Sequence, residues 1–160
     1  MVGKIGEQVN GYYEELGKAE QVDLVVVCVL KGAFMFFSDL VRHLRHPCDT
    51  QFVQISSYAG TESTKDVKLL SQLNPAHYKG KSVLLVEDMH DSGNSLKQLH
   101  SIFAELGPKR IDVAVLLKRS DKPPQVDIRF VGMDCDDFII GYGLDFDQFG
   151  RTLPEILEKV

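Results

Sequence analysis

One run constrains this chain more than any other: Val83-Leu84-Leu85-Val86-Glu87-Asp88-Met89-His90-Asp91-Ser92-Gly93-Asn94-Ser95. Its leading apolar residues read as a strand buried on both faces, the pattern of a parallel sheet with helices on each side. Two adjacent acids end that strand. A short polar turn with one glycine follows, and then Leu96, Leu99, Phe103 and Leu106 recur at helical spacings. The first N–H groups of a helix have no internal partners, so a strand, a Ser/Gly-rich turn and a helix start together form an anion cradle. Ser92 and Ser95 add hydroxyl donors, and Gly93 allows a close approach or a positive φ.

The acids narrow the chemistry. A loop that binds nucleoside triphosphates places a lysine in such a turn, and this turn has none. Glu87, Asp88 and Asp91 beside a phosphate cradle suit a ligand with vicinal hydroxyls and a phosphate, such as ribose 5-phosphate. Carboxylates accept from the hydroxyls, and a nearby Mg²⁺ offsets their clustered charge. Any one of these residues alone would fit an ordinary loop with a solvated acidic rim. The whole pattern in register favours the cradle.

Strands alternate with helices along the rest of the chain. Residues 1–20 carry Ile5, Val9, Tyr12, Tyr13 and Leu16 at roughly helical spacing, with Gly11 an interruption. Residues 24–30 form a buried strand, and a helix with Phe34, Phe37, Leu40, Val41 and Leu44 on one face stops before Pro47. A second strand is expected at 50–56. From 57 to 73 the apolar pattern lapses, as in a mobile linker or a functional lid, with 67–70 pairing locally as a hairpin arm. Gly107-Pro108 ends the helix after the acidic run. Strands are expected at 111–117, 128–131 and 138–142, and a short helix at 153–160 with Pro154 in its first turn. The expectation is one α/β domain over residues 1–160, a doubly wound, mainly parallel sheet flanked by helices, with its ligand at the carboxyl ends of the strands.

Composition excludes several classes. With 160 residues and 44% hydrophobic content the chain can bury a sizeable core, and no apolar run reaches the ~20 residues of a membrane span. A net charge of −5 gives no basic footprint for nucleic acid. Cys28, Cys48 and Cys135 are odd in number and lack C-x-x-C spacing, which points to reduced thiols. No charged-then-apolar leader opens the sequence, so a cytoplasmic place is expected.

The stretch 83–95 resembles the phosphoribosyl-diphosphate signature of type I phosphoribosyltransferases. From about Ile5 to about Leu157 the chain resembles the hypoxanthine-guanine branch of that family. The resemblance implies a Mg²⁺-dependent purine salvage enzyme that works on small molecules and assembles as a homo-oligomer, a dimer or tetramer. Glu87 and Asp88 would hold the ribose hydroxyls, directly or through Mg²⁺. Met89, His90, Ser92, Gly93, Asn94 and Ser95 would complete the phosphoribosyl site. Asp91 would act at N7 of the purine, and a carboxyl crowded by other carboxylates is biased towards a raised pKa. His90 departs from the apolar residue common there, and stands as a bystander or an alternative proton carrier.

Leu30, Lys31 and Gly32 resemble the family's diphosphate loop, which often holds a non-proline cis peptide before the lysine. Lys118 resembles the lysine that donates to O6 of a 6-oxopurine, a donor-only group that rejects the amino group of adenine. Phe138 matches the aromatic that stacks on the base, although a strand core position fits it equally. Ile139 matches the residue whose backbone carbonyl meets the purine edge. Asp145 matches a carboxylate associated with the metal and the base site, which makes Glu87, Asp88 and Asp145 the implied metal ligands. Arg151 matches a diphosphate-binding arginine. Ser57 and Tyr58 resemble the start of a lid that excludes water. Only about twenty residues precede the first strand, so a reduced hood over the base site is expected. A xanthine-preferring enzyme and a non-catalytic nucleotide or phosphoribosyl-diphosphate sensor remain as alternatives; the three acids favour catalysis.

Overall fold

The computed structural model describes residues 1–57 and 67–158. Its elements are α1 (Val2–Ala19), β1 (Leu24–Leu30), α2 (Phe34–His43), β2 (Cys48–Ser57), β3 (Val67–Leu69), β4 (Ser82–His90), α3 (Asn94–Glu105), β5 (Arg110–Lys118), β6 (Phe130–Asp134), β7 (Ile139–Ile140) and β8 (Leu157–Glu158). A 3-10 turn at Pro75–His77 precedes β4. The main sheet has the order β3-β2-β1-β4-β5-β6. All its neighbours pair in parallel except β3, which pairs antiparallel with β2.

Alternation along the central strands builds two cores. Leu24, Val26 and Cys28 of β1 and Leu84 and Val86 of β4 face Ile5, Val9 and Tyr13 of α1 and Phe36, Phe37 and Leu40 of α2. Their neighbours Val25, Val27, Val83 and Leu85 face Leu96, Leu99 and Phe103 of α3 on the other side. Side chains on a strand point to opposite faces in turn, so an unbroken apolar run fills both layers at once. Cys28 lies in the first core, and burial, aided by Glu87 and Asp88, pushes its thiol up to about 12. Gly11 does not interrupt α1. None of the described helices is long and apolar enough to cross a membrane.

Several boundaries differ from those expected. The acids do not end β4: the strand runs through Glu87 and Asp88 to His90, because β5 keeps pairing with it at Met89↔Leu117 and His90↔Lys118. The strand expected at 128–131 begins two residues later, where Phe130 pairs with Ala114 of β5. The strand expected at 138–142 shrinks to Ile139–Ile140, since a turn follows in which Gly141 N donates to Leu144 O at 3.0 Å. The expected C-terminal helix is absent from the described residues; Leu157–Glu158 instead pairs antiparallel with Ile139–Ile140. A helix of so few residues is marginal alone, whereas the β7 edge offers ready backbone partners. These two short strands form a small second sheet.

Candidate active site

Because β1, β4 and β5 run in parallel, their carboxyl ends and following loops meet at one edge. The loop after β1 carries a cis peptide between Leu30 and Lys31, followed by Gly32. Gly32 presses against the end of β4: an ideal Cβ there would lie 1.6 Å from Asp88 Oδ2. Only glycine lets that backbone pass the carboxylate.

Glu87 and Asp88 are partly buried side by side. Burial pushes the Glu87 carboxyl well above the ordinary range, and the adjacent Asp88 carboxylate adds to the rise. Asp88 is also raised by burial, opposed first by a hydrogen bond shared with Glu87, then by the Met89 N–H that donates to it at 2.9 Å, and by the charge of Arg151. Glu87 Oε2 is buried with no hydrogen-bond partner. A buried acid pair with an orphaned oxygen fits a divalent cation whose remaining ligands are substrate oxygens and water. Asp145 does not join them: it pairs with Arg151 at 2.6 Å. No three His, Cys, Asp or Glu side chains group as a metal cage among the described residues, so the expected three-carboxylate set is not assembled.

Gly93 takes φ +77° as the N-cap of α3, and no side chain caps that helix. The first turn contains no acid. Its unpaired N–H groups, with Ser92 and Ser95, border a cavity of ≈ 250 Å³ that Glu87 and His90 also line. An anion is the natural partner for such an end. A side chain on Gly93 would be strained by its φ and would meet His90 Nε2 at 2.8 Å. His90 itself is 1% exposed, with both ring nitrogens unpartnered. Burial lowers its pKa, which fits a neutral filler beneath the turn better than a proton carrier.

Asp91 departs from expectation. The charges in contact with it include Lys122 Nζ at 2.8 Å and Arg119 Nε at 3.5 Å, so cations hold it where carboxylate crowding was expected. The crowding falls on Glu87 and Asp88 instead, which stand side by side near the carboxyl end of β4. Lys118 ends β5 beside His90 and lies 3.3 Å from Asp134.

The loop after β7 supplies the opposite wall. Arg151 Nη1 donates to Gly143 O at 2.8 Å, and Asp145 Oδ2 accepts from Gln148 N at 2.8 Å. Tyr142 donates to Asp39, which anchors the loop to α2. Lys31, Asp145, Gln148 and Arg151 line a second cavity of ≈ 400 Å³, and Ile55 lines both cavities. Phe138 is 47% exposed and meets Phe146 edge-on at 5.7 Å, so it is not a core residue. Ile139 is buried and pairs with Glu158. Ser57 ends β2 opposite Val67, and Tyr58 lies outside the described residues, as does the rest of the expected lid up to residue 66.

Sequence reading missed Arg119, Lys122 and Gln148 at this edge. Lys122-Pro123-Pro124 reads only as a loop, and the one signal was its position just after Lys118.

A mainly parallel sheet with an acid pair, an uncapped helix start and several basic groups at its carboxyl edge has the parts that an α/β protein handling a sugar phosphate needs. Residues 2–147 match the phosphoribosyl transferase domain family, and the chain belongs to it. It is 37% identical over 158 residues to the hypoxanthine phosphoribosyltransferase of Salmonella typhimurium, covering 97% of this chain and 86% of that protein. The hypoxanthine-guanine phosphoribosyltransferase of Mycobacterium tuberculosis is likewise 37% identical, over 97% of this chain and 78% of its own length. Among solved structures, the hypoxanthine-guanine phosphoribosyltransferase of Bacillus anthracis superposes with a TM-score of 0.82 at 35% identity, covering 100% of this chain and 96% of that one.

Proposed function

We propose that this chain transfers the 5-phosphoribosyl group from phosphoribosyl diphosphate to N9 of hypoxanthine or guanine, giving IMP or GMP and releasing diphosphate. The observation that carries it is the continuous run from the acid pair into the uncapped start of α3, with Lys118 on the neighbouring strand. The names of the relatives support the same base class.

Each residue then has a task. Ser92, Gly93, Asn94 and Ser95 receive the 5-phosphate on hydroxyl and backbone donors. Glu87 and Asp88 accept from the ribose hydroxyls and would hold Mg²⁺ together with the substrate's oxygens. Held by Glu87 and Asp88, Mg²⁺ would supply positive charge that offsets the diphosphate's. Lys31 and Arg151 add fixed cations on the same leaving group, where charge grows as the ribosyl carbon becomes oxocarbenium-like. Lys118 donates to O6 of the base, and Phe138 offers an exposed ring face for stacking. Asp91 takes the N7 proton, and Lys122 and Arg119 hold its carboxylate in place. Homo-oligomerisation and a cytoplasmic place belong to the same reading, and light scattering on the purified chain measures the first.

The test is an ultraviolet assay with Mg²⁺ and phosphoribosyl diphosphate, offering hypoxanthine, guanine, xanthine and adenine separately. Turnover of 6-oxopurines without adenine is expected. Adenine turnover would remove Lys118 from its role, and silence with every base would leave a binding protein. The Asp91→Asn variant is expected to lower kcat by ~10²–10⁴ with a milder effect on the KM for phosphoribosyl diphosphate. Unchanged turnover in that variant would end the proton-transfer role.

A further inference from the structure

The connector between β5 and β6 reaches back over the phosphate turn. Gln125 Nε2 donates to the Ser92 carbonyl at 2.9 Å and to Asn94 Oδ1 at 2.6 Å. Both acceptors belong to the turn whose backbone N–H groups face the cradle. Acceptor oxygens are a hazard in an anion site, because they repel the ligand and compete for its donors. Asn94 follows the Gly93 N-cap as the first residue of α3, so its side-chain oxygen, if free, would sit beside the open N–H groups that an anion needs.

Gln125 removes that competition. Its amide nitrogen carries two hydrogens, one for each oxygen. Packing marks the same clasp: an ideal Cβ on Gly93 would lie 3.4 Å from Gln125 Cγ and 2.8 Å from His90 Nε2, so the turn is wedged between the two side chains. The N-cap is Gly93, which has no side chain of its own to offer the helix start, so a neighbouring acceptor such as Asn94 is what must be held away. We propose that Gln125 is a positioning residue for the 5-phosphate cradle, holding two acceptor oxygens away from the donors that bind the anion. The proposal rests on the reading of that cradle as the phosphoribosyl site.

Gln125→Ala and the isosteric Gln125→Glu test it. The affinity for inosine 5′-monophosphate is measured by calorimetry, and KM for phosphoribosyl diphosphate and for hypoxanthine by steady-state kinetics, with Tm recorded for each variant. Gln125→Ala is expected to weaken the monophosphate and to raise KM for phosphoribosyl diphosphate about tenfold, the effect of one or two well-aligned hydrogen bonds. Gln125→Glu should lose at least as much, because a carboxylate faces the two acceptors with no hydrogen to give. The KM for hypoxanthine and the Tm should stay near those of the unaltered chain. Unchanged monophosphate affinity in both variants overturns the proposal, as does an equal loss for hypoxanthine and phosphoribosyl diphosphate. An unaltered chain that binds the monophosphate but turns over no base overturns the proposed reaction alone, and the calorimetric comparison then still decides on Gln125.

Discussion

Gly32 and Glu87 show how single atoms set this site. A methyl group at Gly32 would occupy the place of the Asp88 carboxylate, 1.6 Å from Oδ2. Gly32→Ala is therefore expected to displace Asp88 and to lower kcat/KM for phosphoribosyl diphosphate by about 10²-fold, the loss typical of an ångström of misplacement. A variant with intact kinetics would mean that the carboxylate has no fixed place in catalysis. Glu87 raises a question of stability. Its carboxyl is raised in the folded chain, chiefly by burial, so the folded state holds its proton more tightly than the unfolded chain does. Its effect on stability is thus most favourable at acid pH and turns unfavourable as pH climbs from the ordinary carboxylate range through the raised value. Without divalent cations, Glu87→Gln should melt higher than the unaltered chain at pH 8 and show a smaller advantage at pH 5. An advantage that is flat with pH would contradict burial as the cause.

The loop from Gly141 to Arg151 is the element on which the second cavity depends. Two short β-bridges, Gly141 with Leu144 and Phe146 with Phe149, stiffen its backbone, and side-chain anchors include Tyr142 on Asp39 and the Arg151 contacts to Asp145 and Gly143. Burial, then Asp39, push the Tyr142 hydroxyl up, which keeps it a donor throughout the working pH range. Tyr142→Phe removes one anchor while leaving Lys31, Asp145 and Arg151 in place. The expected loss is about 1 kcal/mol, roughly a fivefold fall in kcat/KM for phosphoribosyl diphosphate, with Lys118-dependent selection among bases retained. Loss of base selection with no change in the diphosphate substrate would place the loop's role elsewhere. By contrast α3 is fixed by Leu96, Leu99 and Phe103 in the second core, so its uncapped start is presented by a rigid body.

For the molecule as a whole, ligand and fold are linked through the sheet edge. Phosphoribosyl diphosphate with Mg²⁺ at 100 times its Kd is expected to stabilise the folded chain by about 2.7 kcal/mol, roughly 5–10 °C in Tm for a chain of this size. The chain has no tryptophan, so a dye-reported melt suits the measurement. No shift at saturating ligand would contradict the proposed site. The strands, helices and acidic signature were legible in the residues because their causes are local: unbroken apolar runs, helical spacing, and two acids joined to a Ser/Gly turn. The same locality explains the misreadings. Whether β4 stops at Glu87 or continues to His90 depends on β5, and whether 153–160 coils or pairs depends on an edge at Ile139. The sequence by itself determined the α/β architecture and the joining of an acid pair to a Ser/Gly turn at a helix start. Only the tertiary structure decided which groups hold that chemistry in place: Gly32 against Asp88, Lys122 on Asp91, and Gln125 on the turn. Those partners come from loops without periodicity, and they meet only because parallel strands bring distant connections to one edge.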